Sequence, residues 1–184
     1  MPSFAASLAG FVLRTTGYYR RMFSGGPQFE KNIAKVRSGP SPAPKTHADV
    51  DIRHSEFQGR SVWHLAPKDR APTAHVLFWH GGGYVYPATD IHWKFLSRMA
   101  SVHGWSITAP LYPLAPENTA AHITNWAMDY YTAYKAEMGE TAFVMGGDSA
   151  GGGLTAALAQ MARDAGHALP ASLLLICPWL DLDP

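Results

Sequence analysis

The stretch that most restricts the fold is Phe143 to Leu154, FVMGGDSAGGGL. A short run of β-formers, Phe143, Val144 and Met145, passes into a glycine-rich turn holding one serine, and small residues then open an alanine-rich helix. Gly147-Asp148-Ser149-Ala150-Gly151 has the G-x-S-x-G spacing of a nucleophile elbow in the strand-turn-helix setting which that motif requires. A serine on so sharp a turn needs neighbours without bulk, and Gly147 and Gly151 supply them. The same string also reads as an ordinary glycine-rich loop, so a second motif is needed to decide.

That motif lies upstream. His75 to Trp79 (HVLFW) predicts a buried strand, followed at once by His80-Gly81-Gly82-Gly83-Tyr84. Consecutive glycines let the backbone curl until several N–H groups point into one cavity. Together with the N–H of Ala150, the amides of Gly81, Gly82 and Gly83 are candidate donors to the oxyanion that forms when Ser149 attacks a carbonyl carbon; Gly82 and Gly83 are preferred. A helix starting near Gly151 would add its positive end to the same place.

The elements between and around these motifs alternate. After an antiparallel hairpin, with Val50 and Ile52 on one arm, Val62 and His64 on the other and Gln58-Gly59 at the turn, come strand His75 to Trp79, helix Asp90 to Val102 and strand Trp105 to Ala109. Helix Thr119 to Met138, strand Ala142 to Met145, helix Gly151 to Asp164 and strand Ser172 to Cys177 complete the series. Inward faces are expected from Ile91, Phe95, Leu96 and Met99 in the first helix and from Ile123, Trp126, Tyr130 and Tyr134 in the second. Such alternation predicts an α/β fold, a mostly parallel sheet with helices on both faces and the active site beyond the carboxyl ends of its strands.

Composition excludes some functions. The formal net charge of +1 provides no concentrated basic face for nucleic acid. The nine histidines show no H-E-x-x-H or other zinc spacing, so a metal hydrolase is unsupported. Cys177 is the only cysteine, which rules out an internal disulfide and allows a reducing compartment; the cytoplasm is the expected location. Phe4 to Leu13 is apolar but too short to span a bilayer, and no Lys or Arg precedes it. Phe4, Leu8, Phe11, Thr15, Tyr18 and Met22 instead mark one helical face, read as packing on its own domain, so membrane contact is not expected despite Arg14, Arg20 and Arg21. Gly25-Gly26-Pro27 should stop that helix, Phe29, Ile33 and Val36 suggest a second, and the prolines from Pro40 to Pro44 form a stiff connector. The expected division is residues 1–44, N-terminal helices and connector, and residues 45–184, the α/β core.

HGGGY, the run Tyr112-Pro113-Leu114-Ala115-Pro116-Glu117, GDSAGG and Cys177-Pro178-Trp179-Leu180-Asp181-Leu182 together resemble the hormone-sensitive-lipase-like family of α/β-hydrolases, particularly its bacterial esterases, from about Val76 onward. The resemblance implies a serine carboxylesterase working through an acyl-serine on short to medium acyl esters, with no metal or organic cofactor and a helical N-terminal cap over the acyl pocket. It implies that His80 supports the oxyanion loop and is not the base, and that Asp148 and Glu117 are packing or supporting residues. Tyr84 and Tyr86 adjoin the loop and are candidate substrate-binding residues.

An activated serine also needs a base and an acid, which in this fold follow it in the order Ser, Asp or Glu, His. After Ser149 the chain has one histidine, His167, carried about 25 Å from the elbow by the intervening helix, and Asp164 just before it; both read as surface residues. Asp181 and Asp183 lie at the correct end of the last strand but no histidine follows them. His75, His92, His103 and His122 read as packing or surface residues. Two readings stay open: the front part of a longer esterase whose acid and base lie beyond residue 184, or a catalytically incomplete scaffold that binds a small molecule. Oligomeric state is not legible in the sequence.

Overall fold

The structure, a computed structural model, describes residues 7–8, 11–12, 15–16, 26–39 and 42–181. The chain divides into two compact units, Met1–Pro40 and Ser41–Pro184. In the first, residues 7–8, 11–12 and 15 are helical, and helix α1 spans Pro27–Arg37. Pro27 stands at the start of α1 behind Gly26, whose φ of 80° suits only glycine; the proline lost no hydrogen bond there, because the first N–H groups of a helix have no partner. Of the predicted amphipathic face, Leu8 and Phe11 are exposed, while Phe4, Tyr18 and Met22 lie outside the described residues.

In the second unit a hairpin of β1 (Val50–Phe57) and β2 (Arg60–Pro67) leads into β3 (Ala74–Trp79), α2 (Asp90–Arg98), β4 (Trp105–Pro110), α3 (Ala120–Met138), β5 (Val144–Asp148), α4 (Ala150–Asp164) and β6 (Ser172–Ile176). Gln58 and Gly59, at φ 47° and 72°, form the two-residue turn between Phe57 and Arg60, whose left-handed residues match the strand twist. The helix predicted to run to Val102 changes after Arg98 into a π-helical turn, Met99–His103, closed by Gly104 at φ 73°.

Strand order is β1-β2-β4-β3-β5-β6, antiparallel at the two pairs involving β2 and parallel at the other three. The chain steps from β3 to β4 in one direction and from β4 over β3 to β5 in the other. Right-handed crossovers then place α2 on one face and α3 and α4 on the opposite face. The side chains of β3 record this with period two. Val76 and Phe78 pack into a core with Trp93 and Leu96 of α2, whereas Leu77 and Trp79 pack into one with Ile123 and Trp126 of α3 and Leu154 and Leu158 of α4. All four β3 residues are buried, as a strand covered on both faces requires.

Within α3, Ile123, Trp126, Tyr130 and Tyr134 point inward as predicted. In α2 the prediction fails at Ile91, which is 77% exposed, and Trp93 is buried instead, its indole N–H donating to the Pro42 carbonyl at 2.8 Å. Ile91 belongs to the first turn of α2. At β6, Leu173 and Leu175 remain partly exposed. No helix among the described residues is long and apolar enough to cross a membrane.

Candidate active site

The strand order reverses at β3, which puts the switch point of the sheet between the segments leaving β3 and β5, the usual place for a site in an open α/β sheet. Trp79 and Gly147 are register partners at the carboxyl ends of these strands, so the glycine loop after Trp79 and the elbow after Asp148 emerge side by side. β5 runs three residues further than its β-formers predict. Gly146 and Gly147 are poor strand formers, but β3 and β6 bind them on both edges, Phe78 and Leu174 opposite Gly146, Trp79 and Leu175 opposite Gly147.

Ser149 sits at φ 50° and ψ −118°, immediately before α4. Serine in that position ordinarily turns its hydroxyl onto the helix as a cap. Here it makes no such bond, because the positive φ directs the side chain away, and among the described residues Ser149 Oγ has no hydrogen-bond partner. The backbone is held on both sides: Ser149 N–H donates to the Ile176 carbonyl at 2.9 Å, and its carbonyl accepts from Gly153 N–H at 3.0 Å and Trp179 N–H at 2.8 Å. A strained serine is thus pinned by the segment following β6, which is where the CPWLD string stands. A Cβ on Gly152 would lie 2.8 Å from Pro178 Cβ, so that segment packs directly onto the first turn of α4.

The elbow closes onto β3 equally tightly. A Cβ on Gly151 would collide with the carbonyl oxygens of Trp79 and His80, the latter at 2.6 Å, and one on Gly147 would lie 2.6 Å from the Trp79 oxygen. In the glycine loop, Gly82 and Gly83 have φ of 124° and 59° and Tyr84 has 61°. The Gly82 carbonyl accepts from Val85 N–H at 3.1 Å and Tyr86 N–H at 2.8 Å, folding the loop back on itself. Among the described residues no acceptor takes the N–H of Gly82, Gly83 or Ala150. Gly81 differs: its N–H donates to Asp148 Oδ1 at 2.9 Å. In this structure that hydrogen is engaged by a carboxylate.

His80 is buried, stacked on Tyr112 with ring centroids 4.4 Å apart, and its Nδ1–H donates to the Gly81 carbonyl at 2.7 Å. Burial lowers its pKa to about 4, only partly opposed by the Gly81 carbonyl, so the ring is neutral at pH 7. Tyr112 Oη–H donates to the His80 carbonyl at 2.8 Å, and burial raises the pKa of that hydroxyl well above its ordinary value. His80 is therefore built into the wall beneath the loop. Tyr84 stacks with Trp179 at 6.2 Å and lies partly against the core below α4; Tyr86 is half-buried beside Gly82.

Asp148 is the junction of the site. Its Oδ1 accepts from Gly81, and its Oδ2 lies 3.3 Å from Nε2 of His92, in the first turn of α2. Burial alone would raise its pKa, but the hydrogen bonds from His92 and from the Gly81 N–H outweigh it and hold the carboxyl below its ordinary range. Reading His92 as a packing or surface residue missed this contact. A signal was present: Thr89-x-x-His92 has the spacing of a capping box, with histidine where glutamate or glutamine is usual.

No histidine reaches Ser149 among the described residues. His167 is exposed beyond the far end of α4, its N–H bonded to the Ala162 carbonyl, and Asp164 is paired with Arg163 at 2.8 Å. Asp181 is exposed after β6, and Asp183 lies outside the described residues. No group of three or more His, Cys, Asp or Glu able to hold a metal ion occurs among the described residues.

Residues 76–184 match the family described as alpha/beta hydrolase fold. A triacylglycerol lipase of Mycobacterium tuberculosis is 32% identical over 148 residues, covering 78% of this chain and 33% of the relative. The carboxylic ester hydrolase LipN of the same organism is 33% identical over 136 residues, covering 67% of this chain and 35% of the relative. Among solved structures, a hormone-sensitive lipase from a metagenome library superposes with a TM-score of 0.69 at 28% identity, covering 86% of this chain and 52% of that one. The chain thus spans about a third of the length of these curated relatives and about half of that solved structure.

Proposed function

This chain belongs to the α/β-hydrolase fold family, and from that premise we propose that it carries the nucleophile and oxyanion donors of a serine carboxylic ester hydrolase. The observation that carries the proposal is Ser149 itself, a strained residue at a helix start whose hydroxyl caps nothing, next to three N–H groups without an acceptor among the described residues. In this reading Ser149 Oγ attacks the ester carbonyl carbon and passes its proton to a histidine base. The negative charge forming on the carbonyl oxygen is taken by the N–H groups of Ala150, Gly82 and Gly83, with the positive end of α4 beneath them. Collapse of the adduct breaks the C–O bond, the alcohol leaves with the proton held by the base, and water then releases the acid from the acyl-serine. No histidine among the described residues meets Ser149, so this reading assigns the base and its acid to none of them.

Substrates in this reading are short to medium acyl esters, with Tyr84 and Tyr86 on the wall of the acyl or alcohol site. Residues 1–44 are cap and connector, residues 45–184 the hydrolase core, and the site works in the cytoplasm without cofactor. The test is hydrolysis of p-nitrophenyl butyrate by this chain and by a reading frame extended past Pro184, each beside its Ser149→Ala variant. Turnover is expected only in the extended protein and only with Ser149 present. Turnover indifferent to Ser149→Ala sinks the assignment of the nucleophile. A stop codon directly after Pro184 would favour the binding protein as the alternative.

A further inference from the structure

The site as described leaves His92 unexplained. It belongs to α2, which packs on the face of the sheet opposite α4, yet its ring reaches the residue preceding the nucleophile. Both of its nitrogens are occupied. The backbone N–H of Thr89 points at Nδ1 from 2.9 Å, and Thr89 Oγ1 lies 2.8 Å from the same atom. An amide N–H only donates, so Nδ1 must offer its lone pair, and the neutral ring carries its hydrogen on Nε2. Nε2–H then faces Asp148 Oδ2, and Asp148 turns Oδ1 to Gly81 N–H. Both carboxylate oxygens are engaged and the side chains of His92 and Asp148 are 15% and 29% exposed, so water competes weakly for either bond.

We propose that His92 is a positioning residue for the oxyanion loop: the first turn of α2 sets its tautomer, the ring orients Asp148, and Asp148 fixes Gly81 so that Gly82 and Gly83 present their N–H groups toward Ser149. The inference rests on the hydrolase reading of Ser149 and the glycine loop. Its geometry explains two further features. A Cβ at residue 81 would collide with the Asp148 carboxylate and displace the group that anchors the loop. Gly81, placed next to the two free donors, gives up its own N–H as an anchor and does not join them.

The test is NMR on the 15N-labelled chain at neutral pH, in the wild type, His92→Phe, His92→Gln and Asp148→Asn. Long-range 1H–15N correlations of the wild type should show His92 as the Nε2–H tautomer. Amide exchange at Gly81 should be about tenfold faster in His92→Phe, the size of one weakened charge-assisted bond, with the amides of β3 and β5 unchanged. His92→Gln keeps an N–H donor at the position of Nε2 and should stay within about twofold of wild type. Should His92→Phe not fold, Asp148→Asn replaces it: the side-chain amide keeps an oxygen for Gly81 but sets an NH2 against Nε2–H, and the same rise at Gly81 is expected. An Nδ1–H tautomer, or unchanged exchange at Gly81 in the variant that folds, overturns the proposal. None of these readouts uses substrate. Turnover that ignores Ser149→Ala would remove the hydrolase reading and leave the relay in place, whereas the outcomes above remove the relay alone.

Discussion

Gly151→Ala sets two principles against each other at one atom. Gly151 is the second residue of α4, and alanine is favoured over glycine in a helix by about 1 kcal/mol. The added Cβ, however, would lie 2.6 Å from the His80 carbonyl oxygen and nearer still to that of Trp79. Both obstacles are backbone, so no rotamer change relieves them; the start of α4 has to move away from the end of β3 by a good part of an ångström. Forced overpacking of a close-packed site costs about 3 kcal/mol, so the net loss is about 2 kcal/mol. For a chain of this size that lowers Tm by about 4–8 °C. Thermal unfolding followed by circular dichroism decides, with Gly39→Ala as a control because nothing lies within 4 Å of a Cβ built there. A Gly151→Ala protein with Tm unchanged or raised relative to wild type would refute the claim that steric closure of the elbow on β3 determines this residue.

Other expectations follow from His80 and its neighbours. His80 has a folded pKa of about 4 against 6.5 in the open chain, so the unfolded state takes up the proton first. Its contribution to stability is complete above pH 6.5 and falls by about 3 kcal/mol as pH drops to 4, and denaturant titrations of His80→Phe should lack that slope. Because burial also lowers the pKa of His64, the informative quantity is the difference between wild type and variant; identical slopes would contradict a buried neutral His80. Tyr112→Phe leaves the buried His80 carbonyl without its donor and should cost about 1–2 kcal/mol in urea unfolding while keeping the stack on His80. Leu77→Ala empties a fully buried position between β3 and α3 and should cost about 2–5 kcal/mol by the same measurement.

Much of the scaffold was legible because its signals are local. Gln58-Gly59 specified the hairpin through turn geometry, and the inward aromatics of α3 follow helical spacing. Misreadings came where partners distant in sequence outweighed local preference. Ile91 is apolar at a spacing that suits the core but is exposed in the first turn of α2, whereas Trp93 is buried with its indole satisfied by the Pro42 carbonyl. The two glycines of β5 are strand residues only because β3 and β6 flank them.

Two glycine motifs, each ending a strand in the right order, determined by themselves that Ser149 would stand at an elbow beside a loop of backbone donors. Tight turns and free amides require glycine at particular positions, and that requirement is written in single residues. Only the tertiary structure decided how those donors divide. Gly81, Gly82 and Gly83 are identical as letters, yet Gly81 is bound by Asp148, and among the described residues the other two have no acceptor. His92 resembles any other histidine on a helix until the crossover brings α2 to the carboxyl ends of β3 and β5. Hydrogen bonds to a carboxylate depend on distances of about 3 Å, and the fold sets those distances between residues far apart in the chain.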